Sequence, residues 1–467
     1  MPGSSTSIPA ARFSPPLDPD FMPFALVSRA IKKNFRNSSG HPTIQFALEQ
    51  SDGSVSHFDT SIPVSASPES DGIQAYVERQ LKFLLWSRGG CRVHYHGPPD
   101  LGAALKRYYA DTEAGRFDAK MMGSVIYDQP FEFIVSNGHS FPAARENTRS
   151  LGRHLDGCRI GFDLGASDRK VAAVIDGDVV FSEEVAWNPV PQSDPQWHFD
   201  QLMAMLSSAT AHLPRVDAIG GSAAGVYVNN RVKVASLFRG ISADVFASRV
   251  SNIFFDLKKA WHNVPFEVVN DGEVTALAGS MALNANAVLG IAMGSSQAAG
   301  YVTDSGRITS WLNELAFSPI DCNPAAPVDE WSGDRGCGVQ YFSQQCVGRL
   351  LAPAGIECAP GLGLPEKLKY VQELMQKDDP RARALYETIG TYLGYAVALY
   401  ADFYTIDHIL LLGRVLSGPG GNVIIDTAAH VLSSEFPELA ERIAFNTPDE
   451  RSKRHGQAIA AASLPCI

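Results

Sequence analysis

One layout occurs twice in this chain and limits the folds open to it. Ile160–Lys170 and then Val171–Val180 read as strand, tight loop, strand, turn, strand, with Gly165 and Ser167 in the loop and Asp176-Gly177 in the turn. Leu289–Gln297 and then Ala298–Ile308 repeat that order, with Gly294 aligned to Gly165 and Ser296 to Ser167. A duplicated hairpin of this kind predicts an α/β fold with two similar lobes facing each other. Facing Gly/Ser loops can grip a phosphate chain from both sides, through backbone N–H groups and hydroxyls.

At 467 residues the chain is long enough for two or three domains, and its 45% apolar content is ordinary for a globular protein. The formal charge of −11 disfavours nonspecific nucleic-acid binding, which needs a basic field. No run of about 18 apolar residues exists, so no membrane span is expected. The first residues lack a basic stretch followed by an apolar core, so no secretion signal is expected. Seven scattered cysteines, an odd number, fit a reduced cytoplasmic setting.

Residues 1–22, rich in Pro, Ser and Asp, are expected to form a disordered tail. Residues 23–150 read as a separate N-terminal α/β region that no motif names. It holds a short basic helix over Ala25–Phe35, an amphipathic helix over Tyr76–Trp86 and a strand over Cys91–His96. Ser140–Gly157 reads as a connector. The first lobe is expected over 155–272 and the second over 273–467. Helical spacing appears at Pro195–Leu213, Ala243–Trp261, Glu273–Leu283, Tyr341–Leu351 and Ala382–Tyr404. Strands are expected at Val216–Gly220, Pro265–Asn270 and His408–Gly413, a polar insertion over Asn313–Val339, and a loop over Ser417–Gly421. Gly456–Ser463 reads as a small-residue helix that can pack closely on a sheet and return to the first lobe.

Asp163 ends a strand just before the first loop. A carboxylate there can hold Mg²⁺ beside a triphosphate, or merely cap its own turn. Asn270-Asp271-Gly272 lies where a strand enters a helix. Asp271 can accept a proton from a substrate hydroxyl and Asn270 can bind the same substrate; both residues are also good helix caps.

These residues resemble the sugar kinases of the ROK family, within the actin-like ATPase superfamily that includes hexokinase and the heat-shock chaperone ATPases. The resemblance runs from about Arg159 to Leu464. It rests on Asp163–Lys170, Ala224-Gly225, Val269–Gly272, Gly294–Gly300, Asn313-Glu314-Leu315, Asp334–Cys337 and Leu411-Leu412-Gly413. It implies two actin-like, ribonuclease H-like lobes with a cleft between them. It further implies Asp271 as general base, Asn270, Glu314 and Gly225 around a sugar, and Asp163 facing Mg²⁺. Gly165, Ser167, Lys170, Gly294, Ser295 and Ser296 would then hold the phosphates of ATP, with Gly413 near the adenosine. A homodimer is implied by the same likeness.

The departures are specific. The family's zinc-binding His, three residues after the Glu matching Glu314, is Phe317 here, and its cysteine cluster falls on Glu330, Ser332 and Cys337. A structural zinc needs four ligands, so none is expected. A second sugar-binding Glu falls on Val339, beside Gln340. The second phosphate loop carries side chains at Ser296 and Ala298, where glycines allow close approach. The adenosine loop reads Gly413-Arg414-Val415, and Arg414 can obstruct a base or bind an anion.

Elsewhere the plain readings are preferred. His94 and His96 share a strand face and are expected to pack there. Arg29, Lys32, Lys33 and Arg36 are expected to form a solvated helix face, Asp329–Asp334 a solvated acidic loop, and Cys337 a packed thiol. The expected function is ATP-dependent phosphorylation of a sugar or sugar-like hydroxyl compound. The alternative is a non-catalytic sugar or sugar-phosphate sensor with a degenerate nucleotide site. A DNA-binding regulator is disfavoured by the charge and by the lack of a recognition-helix pattern.

Overall fold

The computed structural model describes residues 11–35, 42–62, 72–136, 141–145, 151–448 and 456–467. Arg36, most of the connector's Ser140–Ser150 and the first ten residues of the expected tail lie outside the described residues.

The N-terminal region runs α1 (Phe24–Phe35), β1 (Thr43–Glu49), β2 (Val55–Ser61), α2 (Ile73–Arg88), β3 (Arg92–His96), α3 (Pro99–Asp111), α4 (Glu113–Lys120) and β4 (Glu132–Val135). Its sheet has the order β2-β1-β3-β4. The first lobe follows with β5 (Cys158–Leu164), β6 (Asp168–Ile175), β7 (Asp178–Ala186), α5 (Pro195–Thr210), β8 (Ala218–Ala223), β9 (Val226–Val228), β10 (Arg231–Val234), α6 (Ala243–Val245), α7 (Ile253–Ala260) and β11 (Phe266–Asn270). Its sheet is β11-β8-β5-β6-β7, with β5, β8 and β11 parallel. The second lobe contains α8 (Asp271–Leu283), β12 (Val288–Met293), β13 (Gln297–Val302), α9 (Gln344–Leu350), α10 (Leu364–Met375), α11 (Pro380–Tyr400), β14 (His408–Leu412), α12 (Pro419–Glu435), α13 (Pro437–Ala440), β15 (Ala444–Asn446) and α14 (Gln457–Ala462). Its sheet is β13-β12-β14-β15.

The two hairpins are β5/β6 and β12/β13, as the repeat predicts. The match stops at the third strand. In the first lobe β7 extends the sheet, whereas in the second only an isolated Val302–Ile308 bridge marks its place. The segment after Ile308 leaves the sheet to meet the N-terminal region. There the Gln50 amide donates to the Ser310 carbonyl at 3.0 Å. The stretch Ala243–Trp261 is not one helix but α6, a π-helical turn at Phe246–Val250, and α7.

Small residues set how the lobes join. A Cβ on Gly161 would lie 1.8 Å from the Ala458 carbonyl oxygen, and one on Gly220 1.7 Å from that of Ala461. Only bare backbone lets α14 lie so close on β5 and β8. The C-terminal helix therefore packs on the first sheet, while α8, which follows the first sheet, packs on the second. Gly272 of α8 meets Gly300 of β13, where a Cβ on Gly300 would fall 2.1 Å from the Gly272 carbonyl oxygen.

The N-terminal region does not stand apart. Its apolar residues, among them Phe24, Phe46, Trp86 and Tyr95, join one continuous core with Tyr301, Leu315, Tyr341 and Tyr392 of the second lobe. Residues 11–22 of the expected tail also lie on that lobe. Phe21 packs edge-on against Tyr392, and Asp18 pairs with Arg349 at 3.2 Å. The helix expected to be amphipathic is buried all round, with Glu78, Gln80, Lys82 and Arg88 all inside. Charges from distant segments neutralise its polar side chains. Lys82 lies 3.0 Å from Asp118 and 2.9 Å from Asp334, and Arg79 lies 2.8 Å from Asp334. The loop expected to be solvated thus has Asp329 and Asp334 buried, with Asp334 holding two cations. Two basic residues of α1 dock on the second lobe, while Lys33 is exposed as expected. Arg29 pairs with Glu438 and Lys32 with Asp402.

Candidate active site

The register of β5, β8 and β11 aligns the strand ends at Asp163-Leu164, Ser222-Ala223 and Val269-Asn270. Ligands bind characteristically at such carboxyl ends. Asp163 is buried, and its Oδ1 accepts a hydrogen bond from the Ser222 hydroxyl at 2.6 Å. Burial pushes its carboxyl up to about 6 against that hydrogen bond, and the charge of Asp271 adds to the rise.

Asn270 caps α8: its Oδ1 accepts from the Gly272 N–H at 2.7 Å, and its Nδ2 donates to the Gly225 carbonyl at 2.6 Å. The cap thus ties the two motifs together and sets Asp271 on the first turn of α8. Burial raises Asp271 above the usual carboxylate range, opposed by the Gly272 N–H. Glu314 is pushed up to about 7, first by burial and then by Asp271. Asp271 therefore acts electrostatically on both Asp163 and Glu314. The backbone N–H of Glu314 donates to the Trp86 carbonyl at 2.9 Å, so α2 fixes its position.

Two cavities lie near these residues: Glu314 lines the smaller, and Lys170, the register partner of Asp163 across β5 and β6, lines the larger. One, of about 110 Å³, is lined by Gly225, Asn270, Glu273 and Glu314 among others. That volume is below the roughly 300–1,000 Å³ usual for ligand pockets, the scale of a small polar molecule. The other, of about 840 Å³, is lined by Lys170, Gly279, Gly413 and Arg414 and by apolar side chains of α8, β14 and α12. That size lies within the roughly 300–1,000 Å³ usual for cofactor sites.

The loops are less open than their composition suggests. The N–H of Gly165 bonds to the Asp168 carbonyl and that of Gly294 to the Ser296 carbonyl, each at 2.9 Å. Those two donors close their own turns. The exposed side chains of Ser167, Ser295 and Ser296 remain at the loop tips, with Ser167 donating to Asp168 at 3.0 Å. Lys170 lies 3.6 Å from Asp168. A magnesium nucleotide fits this donor set: a roomy cavity with two cations on its wall, one of them, Lys170, paired in register with the buried Asp163, a carboxylate that a divalent ion would keep ionised.

Glu273 was not singled out from the sequence. It is buried beneath the site and pushed up to about 8 by burial, against hydrogen bonds from Asn313 and the Tyr301 N–H. Asn313 in turn accepts from Tyr404 at 2.8 Å. A Glu on the first turn of a helix reads as an ordinary dipole partner, so nothing in the sequence marked it. Phe317 stacks on Trp86 at 4.1 Å, and burial pushes the Cys337 thiol up to about 12. Val339 packs with Cys337 and Phe317, away from the cavity. His94 pairs with Glu49 across the strands at 2.9 Å.

Among solved structures, the ROK hexokinase of Thermus thermophilus superposes with a TM-score of 0.51 at 17% identity, covering 66% of this chain and 97% of that one. A ROK family transcriptional regulator, a homologue of the E. coli MLC protein, gives 0.51 at 17% identity over 67% and 78%. The chain has the two-lobed actin-like fold of the ROK proteins. No family model matches the sequence, and no curated protein matches it. About a third of the chain falls outside the ROK superposition. Among the described residues of this ROK fold, no helix is long and apolar enough to cross a membrane. None of their His, Cys, Asp and Glu side chains form a group of three placed to hold a metal ion.

Proposed function

We propose that this chain transfers a phosphoryl group from ATP to a hydroxyl of a sugar-sized acceptor. The observation that carries the reading is the coupling of Asp271, which follows the smaller cavity's Asn270, to Glu314 of that cavity and to Asp163, the register partner of the larger cavity's Lys170. A base between a nucleotide site and an acceptor site is what phosphoryl transfer to a hydroxyl requires.

In this reading Asn270 and Glu314 hold the acceptor, and Glu314 keeps its hydroxyls oriented. Asp271 takes the proton of the attacking hydroxyl. Its raised pKa matches that task better than an ordinary carboxylate, because a base works best near the operating pH. Asp163 would hold Mg²⁺, and Lys170, Ser167, Ser295, Ser296 and Arg414 would face the phosphates. Magnesium ATP supplies the phosphoryl group and, through the metal, charge neutralisation. Lobe closure would exclude water from the acceptor.

Calorimetric binding of Mg·ATP to the wild type and to Asp163→Ala tests this. Binding that needs Mg²⁺ and is lost in the variant supports the kinase. A folded protein that binds no ATP at millimolar concentration refutes it. A sugar sensor without catalysis is the second reading, favoured by the Gly165 and Gly294 N–H groups being used within their own turns. Sugar binding with no phosphoryl transfer would select it.

A further inference from the structure

The reading above leaves Glu273 without a task. It is buried, and it shares the lining of the smaller cavity with Asn270 and Glu314. It sits on the first turn of α8, two residues after Asp271. Its Oε1 accepts a hydrogen bond from the Asn313 amide, and its Oε2 one from the Tyr301 N–H at 3.4 Å.

Asn313 is the residue before Glu314, and it is held at both backbone groups and at both ends of its amide. Its N–H donates to the Ser87 carbonyl and its carbonyl accepts from the Leu315 N–H, each at 3.0 Å. Its Oδ1 accepts from the Tyr404 hydroxyl at 2.8 Å, and its Nδ2 is spent on Glu273. The side chain is buried and the backbone is left-handed, with φ at 51°. Asn takes up that conformation more readily than most residues. Glu314 has no such ties. Among the described residues no group bonds to its carboxyl, so its aim is set by its backbone, and hence by Asn313.

The base and the acceptor-binding carboxyl thus stand on different elements, Asp271 on α8 and Glu314 in the segment after β13. The Glu273–Asn313 bond joins those elements beside both residues. A base works only within hydrogen-bond reach of the hydroxyl it deprotonates, and a small misplacement costs much of the rate.

We propose that Glu273 is a positioning residue of the acceptor site: through Asn313 it fixes Glu314 relative to Asp271, and so places the acceptor hydroxyl at the base. The proposal rests on reading the Asn270–Glu314 cavity as the acceptor site.

Three variants of the full chain separate bracing from mere packing. Glu273→Gln keeps an oxygen for the Asn313 amide. Glu273→Met fills the space and offers none. Asn313→Gly keeps the left-handed backbone and removes the amide. The first readout needs no substrate: ¹³C titration of labelled glutamate carboxyls, with the Glu314 signal assigned by its loss in Glu314→Gln. Glu314 is pushed up to about 7, where Glu273, pushed up to about 8, still carries its proton. A neutral side chain at position 273 therefore takes no charge from Glu314, and any change in its titration is one of place. Glu273→Gln should leave the titration where it is. Glu273→Met and Asn313→Gly should each lower it by about one pH unit, as Glu314 moves away from Asp271 and toward water. Combining the two should add nothing further. The second readout is kinetics and calorimetry with Mg·ATP and glucose, mannose, galactose and N-acetylglucosamine. The same two variants should raise the acceptor KM and lower kcat, each about tenfold, with Mg·ATP affinity unchanged, and Glu273→Gln should keep both near the wild type.

A wild-type Glu314 titration in Glu273→Met and Asn313→Gly overturns the proposal even where phosphoryl transfer stands; should Glu273→Met not fold, Asn313→Gly decides alone. Losses in Glu273→Gln equal to those in Glu273→Met overturn it too, because the bond to Asn313 would then not be what matters. A shifted titration in a protein that neither binds nor phosphorylates any of these sugars would confirm the brace and refute the acceptor-site reading.

Discussion

Glu273→Gln isolates the cost of keeping a carboxyl under the active site. In the folded protein Glu273 is pushed from its ordinary 4.5 up to about 8, chiefly by burial. The folded state therefore holds this proton more tightly than the unfolded chain. Below pH 4.5 both states are protonated and the group is neutral to folding. As pH rises from 4.5 to about 8 the unfolded chain releases the proton first, and stability falls; above 8 the loss is complete. Each pKa unit is worth about 1.36 kcal/mol, so the full loss is about 5 kcal/mol, to be read as an order of magnitude. Glutamine keeps an oxygen for the Asn313 amide, which donates to Glu273 Oε1 in the native protein. It resembles the protonated acid and cannot ionise. The advantage of the variant over the wild type should thus start near zero at about pH 5 and grow by about 1.4 kcal/mol per pH unit until about pH 8. Asp163, pushed up to about 6, titrates in both proteins and cancels in the difference, whereas the charge of Glu314 is part of what raises Glu273 and enters the difference. Urea unfolding followed by tryptophan fluorescence across this range gives the difference directly. A constant gap between the two proteins from pH 5 to pH 8.5 would refute the reasoning.

Asp271→Asn should lower kcat by about 10²–10⁴-fold with little change in the acceptor KM, because it removes proton transfer and not binding; steady-state kinetics separates the two. Lys82→Met leaves Asp118 and Asp334 without their shared cation and should cost about 3–5 kcal/mol in chemical denaturation. Gly300→Ala sets a methyl 2.1 Å from the Gly272 carbonyl oxygen. It should cost about 1–3 kcal/mol through the forced shift of α8, and wild-type thermal stability in that variant would show the contact to be compliant.

What could be read from the sequence was local. The paired hairpins, the cap at Asn270 and the small-residue α14 all rest on spacing or turn chemistry within a few residues. The loop expected at Ser417–Gly421 shows where local reading fails in kind. Its Pro419 occupies the first turn of α12, where a missing N–H does no harm, so a run that looks like a turn begins a 17-residue helix. The third strand of the second hairpin fails for a different reason. Its sequence suits a strand, but Ser310 and Trp311 are held by Gln50 and Arg88 of the N-terminal region.

The same long-range cause explains why half of the site was hidden. The Asp163 and Asn270–Asp271 side of the cleft is built by parallel strands whose ends align through neighbouring register. The Glu314 side is built by a segment with little regular structure, whose Asn313 and Glu314 N–H groups bond to Ser87 and Trp86 at the end of α2. A segment of that kind keeps its shape only if something packs under it. Here the support comes from Trp86 against Phe317 and from Lys82 and Arg79 against Asp334. Those partners lie in a region that no motif connects to the site. Once α2 is seen as the support, its buried charges have a purpose: they hold the acceptor wall and the loop of Asp334 in one orientation. Loosening that network by Lys82→Met should therefore weaken acceptor binding as well as stability. Magnesium nucleotide binding should be spared.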